Sequence, residues 1–170
     1  MFKRIDLTGA PYGRGFALAG MHGKPRTLAD FKGQVVVLYF GFVQCPDVCP
    51  TALTRAAEVV RLLGPERAAQ VQVVFVTVDP ERDTPELLRS YMAAFDTRFL
   101  ALHGDATQTQ KTVDDFKVFH KKVPTGSTYT MDHTTLSYLF DPQGHLRVAL
   151  RYEQPAADYA ADIATLLRGA

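Results

Sequence analysis

Apolar positions along this chain fall into runs of two kinds. Val35-Val36-Val37-Leu38-Tyr39-Phe40 and Val71-Gln72-Val73-Val74-Phe75-Val76-Thr77-Val78 are nearly continuous, the pattern of strands covered on both faces. Between them Leu53, Ala56, Val59, Val60 and Leu63 recur at helical spacing, predicting an amphipathic helix that ends near Gly64-Pro65. Thr84 and Pro85 read as the cap and first residue of a second helix running to Phe95. A short strand over Phe99 to Leu102 follows, then a helix from Thr107 to Phe119 with Val113, Phe116 and Phe119 on one face.

From His120 to Met131 the pattern lapses, and the polar stretch with Gly126 and several threonines reads as a long loop. Leu136 to Phe140 and His145 to Leu150 flank the turn Asp141-Pro142-Gln143-Gly144 and form a hairpin; a last helix spans about Pro155 to Leu167. Towards the start, Phe16 to Ala19 and Pro25 to Leu28 read as a small hairpin, and residues 1–15, with Gly9, Pro11, Gly13 and Gly15, as an irregular arm. The order is hairpin, β-α-β-α-β-α, hairpin, α, which predicts an α/β fold: a mixed sheet with helices on both faces.

Composition adds little to that picture. With 170 residues, 46% apolar and 22% charged, the chain suits one soluble domain. A net charge of +1 offers no field for nucleic acid. The longest apolar run, Val35 to Val43, is about half of what spans a bilayer, and Met1-Phe2-Lys3-Arg4-Ile5-Asp6 lacks a secretory apolar core. The chain as given reads as soluble, which also fits a trimmed ectodomain of an exported protein.

The candidate chemistry sits where the first buried strand hands over to its helix. Gly41-Phe42-Val43-Gln44-Cys45-Pro46-Asp47-Val48-Cys49-Pro50 holds both cysteines. Unpaired N–H groups and the positive end of the macrodipole favour a thiolate at such a junction, and Pro46 suits a first helical position. Cys-x3-Cys differs from the Cys-x2-Cys of dithiol redox motifs: in a regular helix the two Cβ atoms stand about 5–6 Å apart, against the roughly 3.8 Å of a disulfide. Two thiolates on one metal ion, at about 2.3 Å per bond by the zinc standard, tolerate the wider stance. The spacing leans towards a metal and leaves a disulfide open. The strand's carboxyl end is also where open α/β sheets put their sites.

Three segments together carry a resemblance: Cys45-Pro46-Asp47-Val48-Cys49-Pro50, Val78-Asp79-Pro80-Glu81-Arg82-Asp83-Thr84-Pro85, and Asp132-His133-Thr134-Thr135 with Leu139-Phe140-Asp141-Pro142-Gln143-Gly144. From about Phe16 to Leu150 the chain resembles the Sco (SenC/PrrC) family of copper-binding assembly factors for cytochrome c oxidase. The resemblance implies a thioredoxin-like domain over 16–170 with an N-terminal β-hairpin extension and an inserted loop before the histidine. It makes Cys45, Cys49 and His133 the expected ligands of Cu(I) or Cu(II), and Asp79 the acidic residue near them. It also implies delivery of copper to the CuA site of an oxidase subunit, exchange with other copper carriers or thiol reductants, and a membrane tether facing the bacterial periplasm. The tether is not in this sequence.

Donor chemistry points the same way: two soft thiolates and an imidazole suit Cu(I), and accept Cu(II) with added oxygen donors, while zinc would take the same set with water. His22, His103, His120 and His145 are read as structural or solvated, Met21 and Met131 as packing, Asp79 as either a turn residue before Pro80 or part of the site, and Arg82 and Asp83 as a local ion pair and cap. The competing function is a thiol-disulfide oxidoreductase in which Cys45 attacks and Cys49 resolves; a copper or redox sensor is a third reading. A peroxidase lacks its Thr-x-x-Cys loop. His133 separates the first two, being required for a metal site and dispensable for dithiol exchange.

Overall fold

A computed structural model describes residues 5–9, 15–43, 48–116, 120–125, 128–133, 136–151 and 154–169, with backbone alone for 48–51, 120–125 and 128–133. In chain order the elements are β1 (Ile5–Asp6), β2 (Ala17–Gly20), β3 (Pro25–Thr27), a 3-10 turn (Leu28–Phe31), β4 (Val35–Gly41), α1 (Val48–Ala68), β5 (Val71–Thr77), α2 (Pro85–Ala93), β6 (Leu100–His103), α3 (Ala106–Asp115), β7 (His120–Thr125), β8 (Thr128–His133), β9 (Leu136–Phe140), β10 (Leu146–Arg151) and α4 (Ala156–Leu167).

Eight strands form one mixed sheet in the order β1-β10-β9-β4-β5-β6-β2-β3. The centre is parallel, β4 on β5 and β5 on β6, while β9 runs antiparallel to β4. All seven residues of β4 are buried, as its unbroken apolar run requires of a strand between two layers. Val37 and Tyr39 share an interior surface with Ala56 and Val59 of α1 and Tyr159 of α4, and Tyr91 of α2 stacks near Phe75 with ring centres 6.1 Å apart. On the other face Phe116, which closes α3, meets Phe40 at 5.3 Å and Tyr138 at 5.4 Å. The expected sheet with helices on both faces is present.

Local signals hold where they have a mechanism. Thr84 Oγ1 accepts from the Leu87 N–H at 3.2 Å, capping α2 with Pro85 behind it. Gly64 takes φ 81° and ψ 166° inside α1, a region open to glycine almost alone, so the helix is interrupted where Gly64-Pro65 predicted its end. Three expectations need revision. α3 ends in a cap at Phe116 rather than running on to Phe119, and residue 119 lies outside the described residues. Within the stretch expected to be irregular, Ile5–Asp6 pairs with β10 at Ala149 and Val148. The largest change concerns His120 to Met131: the insertion is a two-stranded antiparallel ribbon, β7 on β8, separate from the main sheet. The loop reading fails because the ladder that pairs the two strands is made by the backbone and needs no apolar pattern in the sequence.

Candidate metal centre

β4 and β5, the strands that precede Cys49 and Asp79, finish at the same end of the sheet. β4 runs towards Val43, two residues before Cys45, and Cys49 lies in the first turn of α1. The strand-to-helix junction is therefore as expected for Cys49, whereas Cys45 and Pro46 lie outside the described residues. β5 is parallel to β4 with Gly41 level with Thr77, and the Val78 N–H donates to the Gly41 carbonyl at 2.8 Å. Asp79 follows at the level of Val43. β9 is antiparallel, with Tyr39 opposite Ser137. β9 therefore begins at the end of the sheet where β4 finishes, and β8 closes on His133, three residues before β9 in the sequence.

The segment after β5 is a tight clamp. The Asp79 N–H donates to Thr77 Oγ1 at 3.0 Å, and the Asp79 carbonyl accepts from the N–H groups of Arg82 at 3.2 Å and Asp83 at 3.0 Å. Arg82 Nε donates to Asp79 Oδ2 at 2.5 Å, and its guanidinium lies over the Phe42 ring, 6.0 Å from the centroid. Asp79 is 2% exposed and its arginine 16%, so this ion pair belongs to the interior and not to the solvated surface on which a pair contributes little. Arg82 thus takes Asp79 as its partner, not Asp83 as the local pattern suggested.

Asp83 has a different task. Its Oδ2 accepts from the Thr77 hydroxyl at 2.6 Å and from the Val43 N–H at 3.1 Å. One carboxylate therefore ties the end of β5 to the residue from which the cysteine segment departs. The side chain is buried, Oδ1 has no hydrogen-bond partner, and burial pushes the carboxyl above its ordinary range against the lowering effect of Thr77 and Val43. The sequence reading missed this role because Asp83 precedes Thr84-Pro85 and looks like part of a helix cap; Thr84 alone does the capping.

The remaining candidates separate cleanly. His22 is exposed, and His145 is 76% exposed with Nδ1 3.7 Å from Asp141 Oδ2. His103 closes β6 opposite Ala19. Met21 is buried and its carbonyl accepts from Arg89 at 2.6 Å, a packing role as expected. Met131 lies in β8 opposite Lys122, and His120 lies in β7 directly opposite His133. Among the described residues no group of three or more His, Cys, Asp or Glu is arranged to hold a metal ion, and no helix is long and apolar enough to cross a membrane.

This architecture and these motifs have known counterparts. The sequence profile of the SCO1/SenC family matches residues 6–168. A mitochondrial SCO2 homologue of Bos taurus is 41% identical over 142 residues, 81% of this chain and 53% of its own length. An SCO2-like protein of Rickettsia felis is 36% identical over 135 residues, 78% of this chain and 65% of its own. The chain thus spans roughly half to two thirds of these curated relatives. Among solved structures, Bradyrhizobium japonicum ScoI with copper bound superposes with a TM-score of 0.84 at 39% identity, covering 92% of this chain and 99% of that one. Yeast Sco1 with copper bound gives a TM-score of 0.83 at 28% identity, covering 94% and 90%. The fold is the thioredoxin-like fold of these proteins. With the profile running from the first strand into the last helix, the chain belongs to the SCO1/SenC family.

Proposed function

We propose that the protein is a copper metallochaperone that holds Cu(I) or Cu(II) through Cys45, Cys49 and His133 and assists assembly of the CuA site of cytochrome c oxidase. The observation that carries this reading is that β4, leading to the cysteine segment, and β5, leading to Asp79, finish at the end of the sheet where β9 begins, three residues after His133 in the sequence. Copper in the structures of Bradyrhizobium japonicum ScoI and yeast Sco1 supports the choice of metal. The donor set fits it on chemical grounds, because two thiolates are soft ligands for Cu(I) and an imidazole serves either oxidation state.

Asp79 is the accessory residue. Its carboxylate is held by Arg82, and the clamp it anchors positions the start of the cysteine segment. Transfer of the ion to an oxidase subunit requires a recipient with cysteine and histidine donors, to which copper passes by ligand exchange without a change in its charge. Bacterial copper carriers or thiol reductants would load the metal or keep the cysteines reduced.

The dithiol alternative, in which Cys45 and Cys49 act on the cysteines of the oxidase copper site or of another exported protein, is separated from this by His133. The reduced protein should bind one copper per chain, give an intense thiolate-to-Cu(II) charge-transfer band, and lose binding once the cysteines are oxidised. His133→Ala should weaken copper binding by well over the roughly tenfold that loss of even an outer partner costs, with thiol reactivity nearly unchanged. Spectra and affinity unaltered in that variant would return the protein to the oxidoreductase reading.

A further inference from the structure

The ladder between β4 and β5 stops for a chemical reason, and a side chain takes over from it. The Gly41 carbonyl accepts from the Val78 N–H at 2.8 Å; two residues on, the Val43 carbonyl would need an N–H from residue 80, which is a proline and has none. At that level the Val43 N–H donates instead to Oδ2 of Asp83, at 3.1 Å. We infer that Asp83 is a positioning residue for the copper centre: its carboxylate fixes the point at which the cysteine segment leaves the sheet, and so sets how tightly the two sulfur donors take the ion. The inference rests on the metallochaperone reading and names the group that holds its donors ready.

Asp83 is itself held on a firm base. Its N–H donates to the Asp79 carbonyl at 3.0 Å, and α2 begins two residues on, capped by Thr84. Thr77 Oγ1 donates to the same Oδ2 at 2.6 Å, and Thr77 and Asp83 are 0% and 1% exposed. A second contact acts one residue earlier. The Arg82 guanidinium lies 6.0 Å from the centre of the Phe42 ring, and Phe42 is 1% exposed. Residues 42 and 43 are thus gripped in succession by residues 82 and 83. Oδ1 of Asp83 is buried without a hydrogen-bond partner, which costs stability; what the arrangement secures is the position of Val43.

That position matters through covalent reach. Cys45 follows Val43 by two residues, a link of at most about 7 Å, so fixing Val43 limits where the first sulfur can stand. A donor held near its bound position loses less conformational freedom when the ion arrives, and residues that support a metal site from outside its ligands typically govern affinity by about ten- to a hundredfold. The tie uses one acceptor oxygen for two donors, so an amide oxygen at the same place can replace it, whereas a methyl group cannot.

The test compares Asp83→Ala and Asp83→Asn with the wild type and with Leu146→Ala, a buried apolar truncation at the opposite end of the sheet, near the level of Val36. The reduced proteins are titrated with Cu(I) against a competing chelator and loaded with one equivalent of Cu(II) for absorption spectra, in buffer where urea curves place each in its native baseline. Asp83→Ala should lose Cu(I) affinity by about tenfold or more and shift or broaden the thiolate-to-Cu(II) band, and Asp83→Asn should recover most of both. Leu146→Ala should keep the wild-type affinity and band despite its lower stability. If Asp83→Ala does not fold, Asp83→Ser, whose oxygen is one bond shorter of Val43, is read in its place. Wild-type affinity in the truncated variant, equal losses in it and Asp83→Asn, or a parallel loss in Leu146→Ala would each overturn this inference, while the wild-type band and its loss on His133→Ala still stood. Absence of that band from the wild type, or its persistence in His133→Ala, would overturn the metallochaperone reading and this inference with it.

Discussion

β4 and β8 each lead to one proposed ligand at the same end of the molecule, and they are built in opposite ways. β4 is buried at all seven positions, paired on both edges and covered on both faces. β8 belongs to a ribbon of two strands that pairs with no strand of the main sheet. A two-stranded ribbon is marginal by itself, whereas a central strand opens only with the whole fold. The cysteine segment therefore departs from a strand at the centre of the main sheet and His133 from a strand outside it. If the protein carries copper as proposed, this division would let the cysteine side hold the ion while the histidine side yields to a recipient's ligands.

The comparison is most easily broken at β4. Phe40 is fully buried and contacts Phe116 and Tyr138, so Phe40→Ala should destabilise the fold by about 3–5 kcal/mol, read as a shift in the denaturant midpoint with copper absent. A loss below about 1 kcal/mol would mean that β4 is not the rigid partner. One level down, Asp83→Ala cuts the tie between Val43 and Thr77 and should cost about 1–3 kcal/mol, since both donors lose their partner.

Asp83 also sets a pH dependence. Burial raises its carboxyl in the folded protein, so the native state holds this proton to higher pH than the unfolded chain. Its contribution is present in full below the ordinary carboxylate pKa and is lost as pH rises through the raised one. Wild type should therefore lose stability relative to Asp83→Asn as pH climbs through that window, measured by urea unfolding at a series of pH values. Parallel curves for the two proteins would show that the carboxylate is not strained by its surroundings.

Legibility followed the same division. β4, β5, α1 and α4 were readable because continuous apolar runs and helical spacing are what burial between layers demands of a sequence. Cys45, Cys49, Asp79 and His133 stood out from motif and junction rather than from periodicity. The ribbon was not readable by apolar pattern, since His120-Lys121-Lys122-Val123-Pro124-Thr125 and Thr128-Tyr129-Thr130-Met131-Asp132-His133 carry few apolar residues, and Pro124 argues against a strand. A weaker signal was present: two runs separated by Gly126-Ser127 match a two-residue hairpin connection. Asp83 was hidden because its partners Val43 and Thr77 are 40 and 6 residues away.

The smallest expected effect sharpens the comparison best. Val123 pairs with Thr130 in the ribbon, and a cross-strand pair of this kind contributes roughly 0.2–1 kcal/mol. Val123→Ala should leave the global denaturant midpoint within error, because β7 and β8 add no strand to the main sheet. Its effect should instead appear locally. Amide exchange across residues 120–125 and 128–133 should quicken by a factor of up to about five, with β4 amides unchanged. Cu(I) bound at the cysteines and His133 would select the closed ribbon, so loading should slow exchange there in both proteins. If ribbon and β4 amides instead exchanged together, with or without copper, the ribbon would be part of the globally cooperative unit, and metal loading would carry no local conformational signal for a partner to read.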